Sequence, residues 1–418
     1  MGESAIVPMV ISIVSLLLIA TVSAILLKHL KFPYTIGLVL VGIILGLCVG
    51  NTHYFEQARH LKLSPEFILY IILPTLVFEA AIHIDSRRLI KNLLPVLTLS
   101  APGLIISTFI VGALVAWWTP LPLAYAILFG ALISATDPVA VIALFEDIGA
   151  PERLKLLVDG ESLFNDATAI VMFQIVFGVI AAGSISAATM LSGAWGFVWI
   201  FSGGVVVGMA VGIIVMMIIT LGRNDPLIDV AGTTVVAYAA YIVADHFLHV
   251  SGVMAVVGAG LTVSWMGKSR FTKNTYLYLN HFWDYAAFVA NSLIFLLIGF
   301  TEDQLIKRIF TDPVIFIPIL LTFVAVTIAR LPVVYGLVPI VNRLPGMQRI
   351  SGKYQTVLFW GGLRGAVPTA LALSIPRDYP HRESILGLTL GIVLCTLLIQ
   401  GTTVRPLMRL LKMKTNGE

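Results

Sequence analysis

Thirteen long apolar runs follow one another along this chain, at about 6–27, 33–50, 65–84, 94–118, 122–145, 156–182, 194–221, 227–248, 251–266, 280–299, 313–341, 354–375 and 384–404. Hydrocarbon offers a backbone N–H or C=O no partner, so runs of this length can cross it only as helices that satisfy their own peptide groups. Just 11% of the 418 residues are charged and 58% are hydrophobic, the composition of a polytopic membrane protein. The expected fold is therefore all-α with thirteen transmembrane helices. No loop runs much beyond about a dozen residues, which places everything functional in the spans.

Charge sets an orientation. With the N-terminus outside, the cytoplasmic loops and tail would hold 18 of the 26 cations, among them Lys28, Arg87, Arg88, Arg153, Lys268, Arg343 and Arg405. The opposite side would hold six, Arg59, Lys62, Lys307, Arg308, Arg377 and Arg382, and two, Arg330 and Arg364, fall within spans. This bias predicts N-terminus out and C-terminus in. The first cation, Lys28, follows the first apolar run, so that run reads as a retained span and not a cleaved signal. Cys48 and Cys395 both fall inside apolar runs and give no disulfide framework.

Two spans are interrupted. The fifth carries Ser134-Ala135-Thr136-Asp137-Pro138, and the twelfth carries Gly361-Gly362-Leu363-Arg364-Gly365-Ala366-Val367-Pro368. Backbone freed by Pro and Gly at this depth is tolerated only beside protein or a watery cavity. The two spans are an odd number apart and so run in opposite directions, the pattern of inverted repeats whose broken helices cross near the midplane. The expected division is a scaffold of helices 1–3 (residues 1–92), a core of helices 4–6 (93–185), a linker helix 7 with scaffold helices 8–10 (186–300), and core helices 11–13 with a short cytoplasmic tail (301–418).

The sixth span opens on Asp159-Gly160-Glu161-Ser162-Leu163-Phe164-Asn165-Asp166. At 1.5 Å per residue, Asp166 lies roughly 15 Å along a helix that starts near Lys155, about the middle of a ~30 Å core. An ionisable residue there is a functional hypothesis by default. Burial disfavours its charge and a nearby cation favours it, so one carboxylate can hold a proton or a metal ion in competition. Such a group suits a carrier that works by alternating access. Glu161 and Asn165, and Ser162 and Asp166, are each four apart and share adjoining helix faces. Asp137, ahead of Pro138, either stabilises the positive end of a half-helix or ligates an ion. Arg364, beside the second break, is expected to neutralise Glu161, whereas Arg330 has no assigned partner.

Leu73-Pro74 to Phe78-Glu79-Ala80-Ala81, Ala135-Thr136-Asp137-Pro138-Val139-Ala140, Gly160 to Asp166, Ser251-Gly252-Val253, Asn291-Ser292-Leu293 to Gly299, and Gly362 to Val367 occur in that order. Together they resemble the cation/proton antiporters of the NhaP and sodium/proton exchanger type, the electroneutral branch of their superfamily. The resemblance implies exchange of Na+, or Li+ or K+, for H+. It implies a cation site of Asp166 and Asp137 with oxygens from the Thr136 carbonyl and Ser162, and an Asn165-Asp166 pair oriented by Arg364. Glu79 either reaches that site across the domain interface or packs at a helix end. One titratable group beside Asn165 favours a 1:1 exchange. The resemblance also implies a homodimer held through the scaffold. The short tail favours a plain prokaryotic exchanger of the inner membrane.

Other functions fit less well. An intramembrane aspartyl protease could use Asp137 and Asp166, yet neither stands in a Gly-x-Gly-Asp setting and the paired breaks go unexplained. A cation channel needs ligands open to both sides at once. No phosphate-binding loop, His-Glu-x-x-His motif or Cys/His cluster occurs, so no nucleotide, catalytic zinc or other cofactor is expected. Nor is an enzymatic activity or a nucleic-acid partner. Asp245-His246 with His249 reads as a solvated helix end or a pH-sensitive cluster.

Overall fold

The computed structural model describes residues 6–30, 34–49, 67–138, 141–142, 145, 149–183, 187–219, 221, 225–301, 313–376 and 378–413. Among them there are helices and turns and no strand. Lys31, Arg59, Lys62, Arg223, Lys307, Arg308, Arg377 and Lys414, which bear on orientation, lie outside the described residues, as do Val139 and Ala140. Every apolar run holds a helix or a broken pair of helices. Helices α1 (Ile6–Leu30), α2 (Tyr34–Val49) and α3 (Ile68–His83) lead to a short α4 (Ser86–Lys91). Then come α5 (Leu93–Trp118), α6 (Leu123–Ile133), α7 (Glu152–Ala181), α8 (Ala187–Ile219), α9 (Pro226–Phe247), α10 (Gly252–Arg270) and α11 (Lys273–Thr301). Pro313–Leu331, its extension to Val341, Gly352–Trp360, Ala366–Ser374 and Arg382–Leu410 complete the chain as α12 to α15. Six of these, within α5, α7, α8, α9, α12 and α15, are long and apolar enough to cross a membrane.

The helix starts follow local chemistry. Asp225 accepts from the Leu227 N–H ahead of Pro226, and Ser251 and Ser351 accept from Met254 and Tyr354 in the same way. Asp85 caps α4 by accepting from the Arg87 and Arg88 N–H groups, and Lys268 Nζ lies 2.8 Å from its Oδ1. That lysine first, and the two amides after it, hold the Asp85 carboxyl below the usual range. A folded-state value below the unfolded one contributes stability that is complete above the unfolded value and lost as pH falls through the folded one. Lys268→Ala should therefore lower the melting temperature at neutral pH and converge on the parent below the range where Asp85 is ionised, as measured in melts from pH 7 to pH 3 in detergent.

Packing gathers the helices into two groups. Helices α5, α6, α7, α12, α14 and α15 contact one another, and α1–α3 pack with α8–α11. Small residues let the second group close up. A Cβ on Gly42 of α2 would come within 2.3 Å of the Leu296 carbonyl, and one on Gly299 of α11 within 2.3 Å of the Val39 carbonyl. The backbones of α2 and α11 thus touch at reciprocal glycines, as is common where helices associate in lipid. At one end of the first group, Arg153 at the start of α7 donates to the Arg349 and Gln348 carbonyls, at 2.8 and 2.6 Å, and to Asn92 Oδ1 at 3.2 Å. One guanidinium so joins the ends of α5 and α7 to the segment leading into α13.

Candidate functional site

The two unwound stretches meet. Helix α6 stops at Ile133, α13 stops at Trp360 and α14 begins at Ala366. Between them the Asp137 N–H donates to the Leu363 carbonyl at 2.8 Å, so each break satisfies part of the other's exposed backbone. The contact is close because residue 365 is glycine: a Cβ there would fall 1.7 Å from Asp137 Oδ2. Gly365→Ala should therefore displace the Asp137 carboxylate and cut the exchange that the resemblance implies by roughly tenfold or more, since about 1 Å of misplacement can cost that much. An unchanged rate in reconstituted vesicles would show that Asp137 does not need its place beside the second break.

Helix α7 lies against the first break. Ser162 Oγ donates to the Thr136 carbonyl in a short hydrogen bond, and Asn165 Nδ2 donates to the Ser134 carbonyl at 3.2 Å and to Thr136 Oγ1 at 3.1 Å. Asn165 Oδ1 is a buried acceptor with no donor among the described residues. Asp166, partly exposed, is within electrostatic reach of Asp137 and Arg364. The structure thus brings together Asp166, Asp137, Thr136, Ser162 and Asn165, a set of oxygens of the kind a hard alkali cation prefers.

Two arginines exchange the places expected of them. Arg330, not Arg364, pairs with Glu161, its Nη1 lying 2.5 Å from Oε1, and its Nη2 donates to the Leu358 carbonyl at 2.6 Å. Arg330 stands two residues before Pro332, where α12 widens into a π turn over Pro332–Leu337, and this geometry was not apparent from hydropathy. Arg364 is fully buried, donates from Nη1 to the Gly362 carbonyl at 3.0 Å, and leaves Nε and Nη2 without a hydrogen bond among the described residues. It makes no hydrogen bond to Asn165 either, so the orienting contact expected of it is absent. The local fold of Gly362-Leu363-Arg364 turns its guanidinium back on its own backbone.

Glu79 packs at a helix end, one of the two places expected of it. Its Oε1 lies 2.9 Å from His83 Nδ1, and His83 Nε2 lies 3.4 Å from Asp284 Oδ1 on α11. The i, i+4 spacing on α3 directs Glu79 to that neighbour. Asp245 accepts from the Tyr70 hydroxyl at 2.8 Å.

Asp166 separates two cavities along α7. One, with room for about a single water-sized sphere at roughly 10 Å³, is lined by Asp137, Thr136, Glu161, Ser162 and Arg330 among others. The other, of about 380 Å³, is lined by Ile170, Phe173, Gln174, Tyr70 and Asp245 among others. Ser162 and Ile170 are each four residues from Asp166, roughly 6 Å along the helix.

A family described as sodium/hydrogen exchanger, transmembrane, matches residues 14–410. The chain is 41% identical over 390 residues to the Na(+)/H(+) antiporter ApNhaP of Aphanothece halophytica, covering 93% of this chain and 71% of that protein. It is 36% identical to the Na(+)/H(+) antiporter NhaH of Halobacillus dabanensis over 405 residues, 95% of this chain and 97% of that one. The solved sodium proton antiporter MjNhaP1 of Methanocaldococcus jannaschii at pH 8 shares its fold, with a TM-score of 0.74 at 21% identity over 98% of this chain and all of that one.

Proposed function

The chain belongs to the sodium/hydrogen exchanger family, and from that premise we propose that it exchanges one Na+ for one H+ at Asp166 by alternating access. It is an integral membrane antiporter, a secondary transporter and not an enzyme, which removes the aspartyl protease and channel readings. The observation that carries the stoichiometry is the charge around the breaks. Glu161, Asp137 and Asp166 face two guanidiniums, those of Arg330 and Arg364, and when all are ionised one negative charge is left over. A buried excess charge is costly, and either a sodium ion or a proton offsets it. Each occupant replaces the other with no change in the charge carried across.

Asp166 and Asp137 supply the charged ligands in this reading, and the Thr136 carbonyl and Ser162 hydroxyl supply neutral ones. Asn165 holds the first break open by donating to Ser134 and Thr136. Glu79 is the further carboxylate that reaches this cation site across the interface between the two helix groups. The larger cavity borders Ile170, Phe173 and Gln174, on the Ala181 side of Asp166, and the small one borders Glu161 and Ser162 on the Glu152 side, which supports an approach to Asp166 from either end of α7. The packing of α5–α7 with α12, α14 and α15 supports their moving together against α1–α3 and α8–α11, within a fold of thirteen crossings arranged as inverted repeats. We place the N-terminus outside and the C-terminus in the cytoplasm of a prokaryotic cell, with two copies joined through the scaffold. Ion gradients power the cycle and no cofactor is required.

Proteoliposomes test the stoichiometry. Sodium-driven proton flux should run at the same rate with the membrane potential clamped at zero or left free, and with Li+ in place of Na+ it should keep that indifference. A flux that changes with an imposed potential would mean that more than one proton moves per cation.

A further inference from the structure

Asp245 stands where two π turns meet. Helix α3 opens on one, Ile68–Ile72, closed by the Leu73 N–H donating to the Ile68 carbonyl. Helix α9 ends in the other, Val243–Phe247, closed by the Leu248 N–H on the Val243 carbonyl at 3.1 Å. Such turns admit an extra residue and recur at functional sites. Here they bring Tyr70 and Asp245 together: the Tyr70 hydroxyl donates to Asp245 Oδ2 at 2.8 Å, and the Tyr70 ring stands edge-on to Tyr241 with centroids 5.2 Å apart.

The carboxylate is also fixed from the side of α10. The Val250 N–H donates to the Ala244 carbonyl at 2.9 Å, and the Ser251 N–H donates to the Ile200 carbonyl on α8 at 3.1 Å. Gly252 then passes so close that a Cβ on it would lie 3.0 Å from the Tyr241 ring and 3.1 Å from Asp245 Cβ.

Asp245 lines the cavity of about 380 Å³, whose walls come from α3, α9 and the start of α10 in one helix group and from α7 and α14 in the other. That space holds an ion together with its water shell. Among the described lining residues Asp245 alone is charged, and among all the described residues no Lys, Arg or His forms an ion pair with it. On α7 the wall includes Ile170 and Gln174, about one and two helical turns beyond Asp166. A charge of one sign between low-dielectric walls raises the local concentration of its counter-ion.

We infer that Asp245 is a capture site for a hydrated monovalent cation, gathering the ion through its water shell before it passes to Asp166. The inference rests on the exchange reading above and deepens it. Capture works by charge, because the neutral oxygens nearby are committed: the Ser251 hydroxyl accepts from the Met254 N–H, and the Ser374 hydroxyl donates to the Leu371 carbonyl. A single carboxylate beside them does not replace the several oxygens an alkali ion needs once its water is gone, so Na+ and Li+ are gathered alike.

Initial rates of exchange in proteoliposomes, sorted by orientation on a C-terminal tag and held at fixed ionic strength with choline chloride, test this. With the cation supplied from the Asp245 face at about 0.1 M ionic strength, Asp245→Asn should raise the KM for Na+ roughly fivefold and leave the maximal rate near the parent's. The KM for Li+ should rise by the same factor, and supply from the opposite face should give parent values. At about 1 M, where the screening length falls to ~3 Å, the difference should vanish. Asp245→Asn keeps an acceptor for Tyr70 and loses only the charge, whereas Tyr70→Phe keeps the charge and loses the hydrogen bond. Tyr70→Phe and Asp245→Glu should therefore both stay near the parent KM. An unchanged KM in Asp245→Asn, a rise that persists at high salt, or an equal defect in Tyr70→Phe overturns the capture site and leaves exchange standing. A parent without sodium-driven proton flux overturns the exchange reading and this inference with it.

Discussion

Asp166→Ala should abolish sodium-driven proton flux in proteoliposomes while the variant elutes and melts like the parent chain. The expectation follows from position. Asp166 is partly exposed between two cavities on α7, within electrostatic reach of Asp137 and Arg364 and four residues from Ser162. Without it, Glu161 and Asp137 balance Arg330 and Arg364, and no unmet charge remains for a cation or a proton to neutralise. Asp166→Asn should fail equally, because an amide keeps the size and loses the titration. A fall to background in both, measured as a pH-dye response to a sodium pulse, is the expected result. Persistent exchange in either variant would move the binding group elsewhere and undo the account of the breaks.

Breaking the Glu161–Arg330 pair has the largest expected effect on stability. Both side chains are buried, and removing one partner of such a pair leaves the other charged without compensation, at a cost of about 3–5 kcal/mol. Arg330 has a second task, donating to the Leu358 carbonyl near the end of α13, where helix carbonyls run out of intrahelical donors. Arg330→Met should therefore destabilise more than Glu161→Gln. Combining Glu161→Leu with Arg330→Met should recover the ionic part and still lack about 1–3 kcal/mol for the orphaned Leu358 oxygen. Arg330→Lys, a single ammonium on a different stem, should recover only one of the two bonds. Thermal melts in detergent give the order directly, and a double variant no more stable than the worse single one would mean that the pair is not what those residues contribute.

Hydropathy carried most of the fold because lipid sets the same demand on every span. Ser134 to Pro138 and Gly361 to Gly365 stood out for the same reason, as residues a continuous helix would avoid at that depth. Asp166 and Asn165 could be placed by counting along one helix. Contacts between helices could not. Two buried arginines and one Glu161 offer two pairings, and the choice of Arg330 depends on how α12 turns at Pro332, which charge patterning does not encode. Glu79 shows the same limit from the other side, since its i, i+4 neighbour His83 was visible in the sequence and Asp284 was not. Nor did spacing reveal that residue 365 is glycine to admit a carboxylate from another span.

The Arg153 clamp has a mechanical consequence. A guanidinium fixed to Asn92, Gln348 and Arg349 welds three helix ends into one frame at the Glu152 side of α7. Under the rocking proposed above, tilting that frame would swing the far ends of its helices most, so a small rotation at the clamped face would become a wide opening at the Ala181 face, as with a door hung on a single stiff hinge post.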